Sequence, residues 1–322
     1  MAYRIERDET VGDAFRRVAR KQSDAAIDDV ETAATSDDST EAIHDCRKRC
    51  KKLRGLIRLV RPVLDEATYD AANEAFRDAA RGLSEMRDAQ ALLATYDDVL
   101  AASSEEDSTV TPNTAGDPNT AGLESVRAEL ARRARARPDD EANDRDGGES
   151  AFDRARDLLR AGRERLDDAD LDADGWDAVR GGLAKTYDRG RDALVVARHD
   201  PAPDNFHELR KRAKYSWYHV RLLEPSAPSI LGPLGKQFKH LADGLGDAHD
   251  LAVLSAQLDR DPDAFGGDAS VRDALDLIDH RRERLEHDAV SLAVQLYAEP
   301  PKRFSRRLER YWDKWQRGMI AS

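Results

Sequence analysis

The sequence predicts an all-α fold, an internally duplicated helical bundle with two pseudo-twofold-related halves around a basic groove or pore. Three observations lead there. Every segment between proline- and glycine-bearing breaks fits a 3.6-residue apolar period, and none alternates with period two. The composition is 40% hydrophobic and 36% charged with only 6% aromatic residues, which suits charged helices better than a β-sandwich. Finally, the chain matches itself. IHDCRKRCKKLRGLIRLVRP (43–62) aligns without a gap on FHELRKRAKYSWYHVRLLEP (206–225), and EAFRDAARGLSEMRDAQALL (74–93) aligns on KQFKHLADGLGDAHDLAVL (236–254).

The matched positions are specific. His44 falls on His207, Asp45 on Glu208, Arg47 on Arg210, Lys48 on Lys211, Lys51 on Lys214, Arg58 on Arg221 and Pro62 on Pro225. In the second block Phe76 meets Phe238, Arg77 meets Lys239, Gly82-Leu83 meets Gly244-Leu245, and Asp88 meets Asp250. Two ordered blocks at nearly one offset define halves of 1–170 and 171–322.

In chain order, the amphipathic stretch VGDAFRRVARKQSDAAIDDVETAA opens the first half. The basic helix follows, with Asp38 and Glu41 as its capping box and Pro62 as its stop. After the Gly-Leu block comes AASSEEDSTVTPNTAGDPNTAG, which repeats PNTAG and predicts a flexible surface insertion over 102–122. A shorter break, RARPDDEANDRDGGES, lies one helix later. The second half begins with GWDAVRGGLAKTYDRGRDALVVARHD; Asn205 and Glu208 predict the cap of its basic helix, and DRDPDAFGGDAS is its later break. PKRFSRRLERYWDKWQRG (301–318) closes the chain as a third basic helix anchored by Tyr311, Trp312 and Trp315.

Charge is distributed unevenly. The formal net charge is -12, yet residues 41–62 hold eight Lys or Arg against two acids. Eleven Lys against forty-one Arg, with acid in excess, resembles proteins adapted to a salty cytoplasm. No apolar stretch approaches the ~18–20 residues that cross a bilayer, and the N-terminus lacks an apolar leader, so a cytoplasmic protein with no membrane partner is expected. Cys46 and Cys50 read as reduced core thiols.

On a helical wheel Cys46, Cys50, Leu53, Leu56, Ile57 and Val60 share the packing arc. His44, Arg47, Lys48, Lys51, Arg54, Arg58 and Arg61 fill the opposite side, with Arg49 and Leu59 as misfits. In the second copy His207, Arg210, Lys211, Lys214 and Arg221 repeat the cationic arc, and Trp217 takes the place of Arg54. A merely solvated face intersperses acids with bases; here like charges recur one turn apart, each pair costing a few tenths of a kcal/mol. Such a row, about 10 Å per two turns, suits an extended polyanion. Arg offers a planar fork to phosphate oxygens and Lys a mobile point charge. Arg77 and Lys239 add cations from the neighbouring helix.

The pattern His-Asp/Glu-x-Arg-Lys-x-x-Lys, followed about 40 residues later by Gly-Leu-x-x-x-x-Asp and occurring twice, resembles the CHAD domain family, the conserved histidine α-helical domain. The resemblance spans about residue 8 to 318 apart from the insertion. It implies two helical halves around a basic pore that binds inorganic polyphosphate, with no cofactor, no metal and no catalysis, and an association with polyphosphate granules. The implied binding residues are His44, Arg47, Lys48, Lys51, Arg58 and Arg77, with His207, Arg210, Lys211, Lys214, Arg221 and Lys239; Arg54 joins them from its place on the cationic arc. Some relatives carry a triphosphate-tunnel enzyme domain with a Glu-x-Glu-x-Lys signature; none is found here, which implies a stand-alone binding module.

Four other readings compete. An HD-type metal-dependent phosphohydrolase needs a further upstream histidine, and none precedes His44. Zinc at His44, Cys46 and Cys50 is opposed by the wheel, which sends the cysteines to the core and His44 away from them. Nucleic acid is the nearest alternative, because cationic channels attract phosphodiesters; weak binding is expected, with Tyr218 on the basic side. A pure scaffold would bind no anion. No Gly-x-Ser-x-Gly, P-loop or dinucleotide turn supplies a nucleophile or phosphate cradle.

Overall fold

The computed structural model describes residues 3–36, 39–83, 88–107, 120–135 and 150–320, and every regular element among them is helical. Helix α1 (Val11–Thr35) begins at Thr10, whose hydroxyl accepts from the Asp13 amide at 3.0 Å. Its buried Val11, Phe15, Val18, Gln22, Ala26 and Val30 recur at helical spacing. Helix α2 (Thr40–Val60) passes directly into a 3-10 turn at Arg61–Val63, where Pro62 blocks further α-helix. Helix α3 (Glu66–Gly82) is capped by Asp65, which accepts from the Thr68 amide at 2.8 Å. Helices α4 (Asp88–Asp107), α5 (Thr120–Arg135) and α6 (Ala151–Asp167) complete the first part.

Helix α7 (Gly175–His199) has 25 residues, as α1 has, and α8 (Pro203–Leu223) has 21, as α2 has. A second 3-10 turn, Glu224–Ser226, ends α8 with Pro225 in the place of Pro62. Helix α9 (Pro228–Arg260) runs unbroken through Gly244-Leu245, whereas α3 stops at Gly82. Helices α10 (Asp268–Leu296) and α11 (Pro301–Gln316) finish the chain.

One helix start differs from the expectation. Helix α8 starts at Pro203, ahead of the expected cap at Asn205. Proline suits a first helical turn because its missing N–H has no helical partner there. Asn205 instead donates its side-chain amide to the Asp200 carbonyl (2.8 Å) and carboxylate (2.9 Å). Asp38 lies outside the described residues, and the residue before α2 is Ser39, whose side chain makes no capping bond. The segment 102–122 is helical at both edges, since α4 reaches Asp107 and α5 begins at Thr120; residues 108–119 lie outside the described residues.

The main core gathers α1, α2, α3, α6, α7, α8, α11 and parts of α9 and α10; Phe15, Leu53, Phe76, Tyr187, Phe238 and Trp315 are among its fully buried side chains. A smaller core joins α4 and α5 to the end of α9 and to α10 through Tyr96, Leu130, Leu254 and Phe265. The wheel misfits in α2 are explained by how many neighbours surround that helix. Leu59 is buried at the α7 contact, and Arg49 pairs with Asp29 of α1 at 2.5 Å. Cys46 and Cys50 are buried free thiols.

Helices α2 and α7 meet backbone to backbone. A Cβ at Gly182 would overlap the Leu59 and Arg58 carbonyl oxygens, which are fixed by their helix and cannot yield. Replacing Gly182 by Ala should therefore cost about 3 kcal/mol, the upper range for overpacking, read as a lowered urea midpoint. An unchanged midpoint would mean that the two helices separate without loss.

Candidate functional site

The site is built where α2 crosses α8. Gly55 permits the approach: a Cβ there would stand 2.9 Å from Cδ2 of the buried Tyr218 ring. The next residue, His219, is fully buried and its Nε2–H donates to the Gly55 carbonyl at 2.9 Å. This bond fixes the neutral tautomer, and burial pushes the His219 pKa down to about 4.

The same crossing brings the two cationic rows together. Lys51 of α2 faces Lys214 and Arg210 of α8, with Arg47 on its own helix. Burial, then those cations, bring the Lys51 pKa down to about 7. Lys214 is brought down to about 8 by burial and Arg210, with Lys239 adding to the effect and Asp243 and Asp250 opposing it. Neither lysine makes an ion pair among the described residues.

Further along, the Arg58 guanidinium lies over the Tyr215 ring at 4.4 Å and donates to the Arg54 carbonyl at 3.0 Å. Burial lowers the Arg58 pKa. On the other side Arg221 faces Lys52, whose pKa falls to about 8 through burial and that neighbour. Arg221 also lies 6.0 Å from the Tyr3 ring. Offset by 163 residues, the aligned positions face one another reciprocally: 55 lies against 218 and 58 over 215, while 51 feels the charge of 214 and 52 that of 221.

The outer members are placed as follows. His44 is exposed near the start of α2, while Lys48 pairs with Asp45 at 3.3 Å, as Lys211 pairs with Glu208 at 3.2 Å. Arg54 donates to Asn73 of α3 at 3.1 Å. Arg77 is held on the α3 surface by Asp78 (2.7 Å) and Glu74 (2.9 Å), whose hydrogen bonds raise its pKa. Lys239 pairs with Asp243 and sits 5.9 Å from the Trp217 ring. These last two therefore already have counter-charges, unlike Lys51 and Lys214. The side chain of Asp88 lies outside the described residues.

Around α8 and α9 the sequence reading missed several groups. His249 of α9 stacks beside His207, with ring centroids 4.3 Å apart. Burial and then His249 push the His207 pKa to about 4; burial and then Arg210 lower that of His249. The Arg210 guanidinium rests on Gly246, where a Cβ would meet it at 2.8 Å. Asp247 has its pKa raised by burial, Asp250 and Asp243. The alignment held a signal for His249, because it falls on Arg87, another basic residue. Lys52 sat at the margin of the cationic arc, and His219 on the core arc opposite Leu56; nothing in the pattern marks either.

Tyr218 corrects an expectation: it is buried against α2 rather than exposed on the basic side. Elsewhere bases and acids neutralise each other. A concavity of about 340 Å³ between α1 and α6 is lined by Asp24, Asp28, Arg160 and Arg163, with Arg163 paired to Asp24 at 3.0 Å. Among the described residues no group of three or more His, Cys, Asp or Glu could hold a metal ion, and no helix is long and apolar enough to cross a membrane.

A family model described as the CHAD domain matches residues 17–259. No curated protein matches the chain. Among solved structures, PptA from Streptomyces chartreusis is similar in fold, with a TM-score of 0.60, 15% identity, and coverage of 89% of this chain and 99% of that one.

The buried crossing makes the fold acid-sensitive. His219 has a folded pKa near 4 against an ordinary value of about 6.5, so its neutral form is favoured by folding. The stability it supplies is complete above pH ~6.5 and is lost as pH falls toward 4, roughly 2–3 kcal/mol by pH ~4.5. Urea unfolding at neutral and acid pH should show a smaller acid loss in His219→Gln, whose amide can donate the same bond. Equal acid losses in both proteins would remove His219 as the cause.

Proposed function

Because the chain belongs to the CHAD domain family, we propose that it binds inorganic polyphosphate where the cationic rows of α2 and α8 converge. CHAD domains are a non-catalytic family, and the reading is of binding without turnover. One observation carries it: Lys51 and Lys214 are held close together, beside Arg47 and Arg210, with no ion-pair partner on either lysine among the described residues. Folding has gathered like charges at a cost in desolvation and repulsion, and the attraction of a polymer bearing one negative charge per phosphate offsets both.

The halves 1–170 and 171–322 are read as duplicated units about a pseudo-twofold axis. The reciprocal contacts support this, since a twofold interface makes position i meet j wherever j meets i. The equal lengths of α1 with α7 and α2 with α8 support it too. In this reading Arg47, Lys51, Arg210 and Lys214 grip the centre of the polymer. His44, Lys48, Arg54, Arg58, His207, Lys211 and Arg221 extend the track. Arg77 and Lys239 contribute from its margin once released from their carboxylates. The protein would then gather with polyphosphate granules.

Nucleic acid is disfavoured by the aromatics. Base stacking needs an open ring face. Tyr218 is buried, Tyr215 is covered by Arg58, and Trp217 stacks on Tyr218 with Lys239 near its ring.

Titration with long-chain polyphosphate over a salt series tests the proposal. Affinity should fall steadily with salt, as counterion release requires. Arg47→Glu with Arg210→Glu should weaken binding at least about a hundredfold, two charge-assisted contacts being worth about 3 kcal/mol together. Displacement of polyphosphate by short RNA at equal phosphate concentration would overturn the ligand class.

A further inference from the structure

We propose that His249 is a further residue of this site, and that polyphosphate binds together with protons taken up by His207, His249, Lys51 and Lys214. The inference rests on the function proposed above and deepens it.

The geometry gives the reason. Lys51 faces Lys214 and Arg210 across the helix crossing, and Arg47 and the Cys50 thiol along its own helix. Lys214 faces Lys51 from α2, Lys239, Asp243 and Asp250 from α9, and Arg210 along α8. His207 faces His249 from α9, with Lys211, Arg210 and Glu208 on its own helix. His249 in turn faces Arg210, Lys211 and Asp204 of α8 and Asp250 of α9. The rings of the two histidines are 4.3 Å apart, and the buried Nδ1 of His207 has no hydrogen-bond partner. Arginine cannot shed its charge, so relief of repulsion in the empty site falls to the lysines and histidines.

An incoming phosphate chain reverses that balance. Each negative charge within several ångströms favours the protonated form of the amines and imidazoles. The starting points are set by burial and neighbouring cations: about 4 for His207, about 7 for Lys51 and about 8 for Lys214, with His249 also lowered. Binding raises these values, so protons are taken up. Affinity then falls as pH rises, by about tenfold per pH unit for each proton bound. The lysines act from about pH 7 upward and the histidines below neutrality. Internal units of the polymer are strong acids and long chains have few ends, so uptake is by the protein.

Calorimetric titration of the intact protein with long-chain polyphosphate, in Tris and in HEPES at pH 7.5 and again in two buffers at pH 6, reads the proton count directly. The wild type should show heats that differ between buffers, with uptake near one proton or more per site at each pH. Lys51→Arg with Lys214→Arg should still bind, with the fall in affinity between pH 7 and 9 flattened. His249→Gln should lower the proton count at pH 6 and weaken binding there severalfold. Binding with buffer-independent heats would overturn the proton uptake while leaving the proposed function intact. Wild type that fails to bind would overturn the function itself. His249→Gln with unchanged affinity and proton count at pH 6 would remove His249 from the site.

Discussion

Everything at the site depends on one close approach, the crossing of α2 and α8 at Gly55. Without a side chain at that point the Tyr218 ring can lie against the α2 backbone, and His219 can reach the Gly55 carbonyl. Apolar burial and one hydrogen bond thus hold together two helix faces that electrostatics would separate. At Lys51 burial, and then that repulsion, bring the amine down to a pKa of about 7. The positions of these cations are thus set by the helix crossing itself, through Gly55, Tyr218 and His219.

The two rows are not equivalent. In α2 the flanking positions are occupied by Arg54 and Lys52, whereas α8 has Trp217 and Tyr215 there. The aromatic pair takes up the opposing cations, Arg58 over Tyr215 and Lys239 near Trp217. Asp243, Asp247 and Asp250 further temper the α8 side. One helix therefore presents a row of cations and the other a row in which charge alternates with ring faces. The rings on α8 limit how much positive charge accumulates in a half-buried space.

Much of this was readable in the sequence because it rests on local periodicity. The 3.6-residue pattern located the helices, Pro62 and Pro225 located their ends, and the gapless match of 43–62 to 206–225 singled out the cationic faces. What escaped depends on tertiary partners. The start of α8 was misplaced because Asn205 bonds backward to Asp200 instead of capping forward, and a proline at the first turn is an equally good start. Arg49 was an anomaly until α1 supplied Asp29. Tyr218 was assigned to solvent because a wheel treats one helix alone, and only the neighbouring Gly55 reveals that its basic side is covered. His249 belongs to a helix whose charge pattern is unremarkable by itself; its meaning comes from the ring of His207.

The acidic remainder of the molecule bears on selectivity as well as solubility. Many bases outside the crossing are paired, as Arg16 is with Asp13, Arg127 with Asp97 and Arg163 with Asp24, so they contribute little outward positive field. With a formal net charge of -12 the chain as a whole repels anions, and its exposed charges act over about a Debye length, ~8 Å at physiological salt. Rising salt weakens the exposed repulsion more than the half-buried attraction, because screening acts least where water is excluded. In a concentrated ionic medium the half-buried cations of the crossing therefore keep more of their positive potential than an exposed patch of equal charge would.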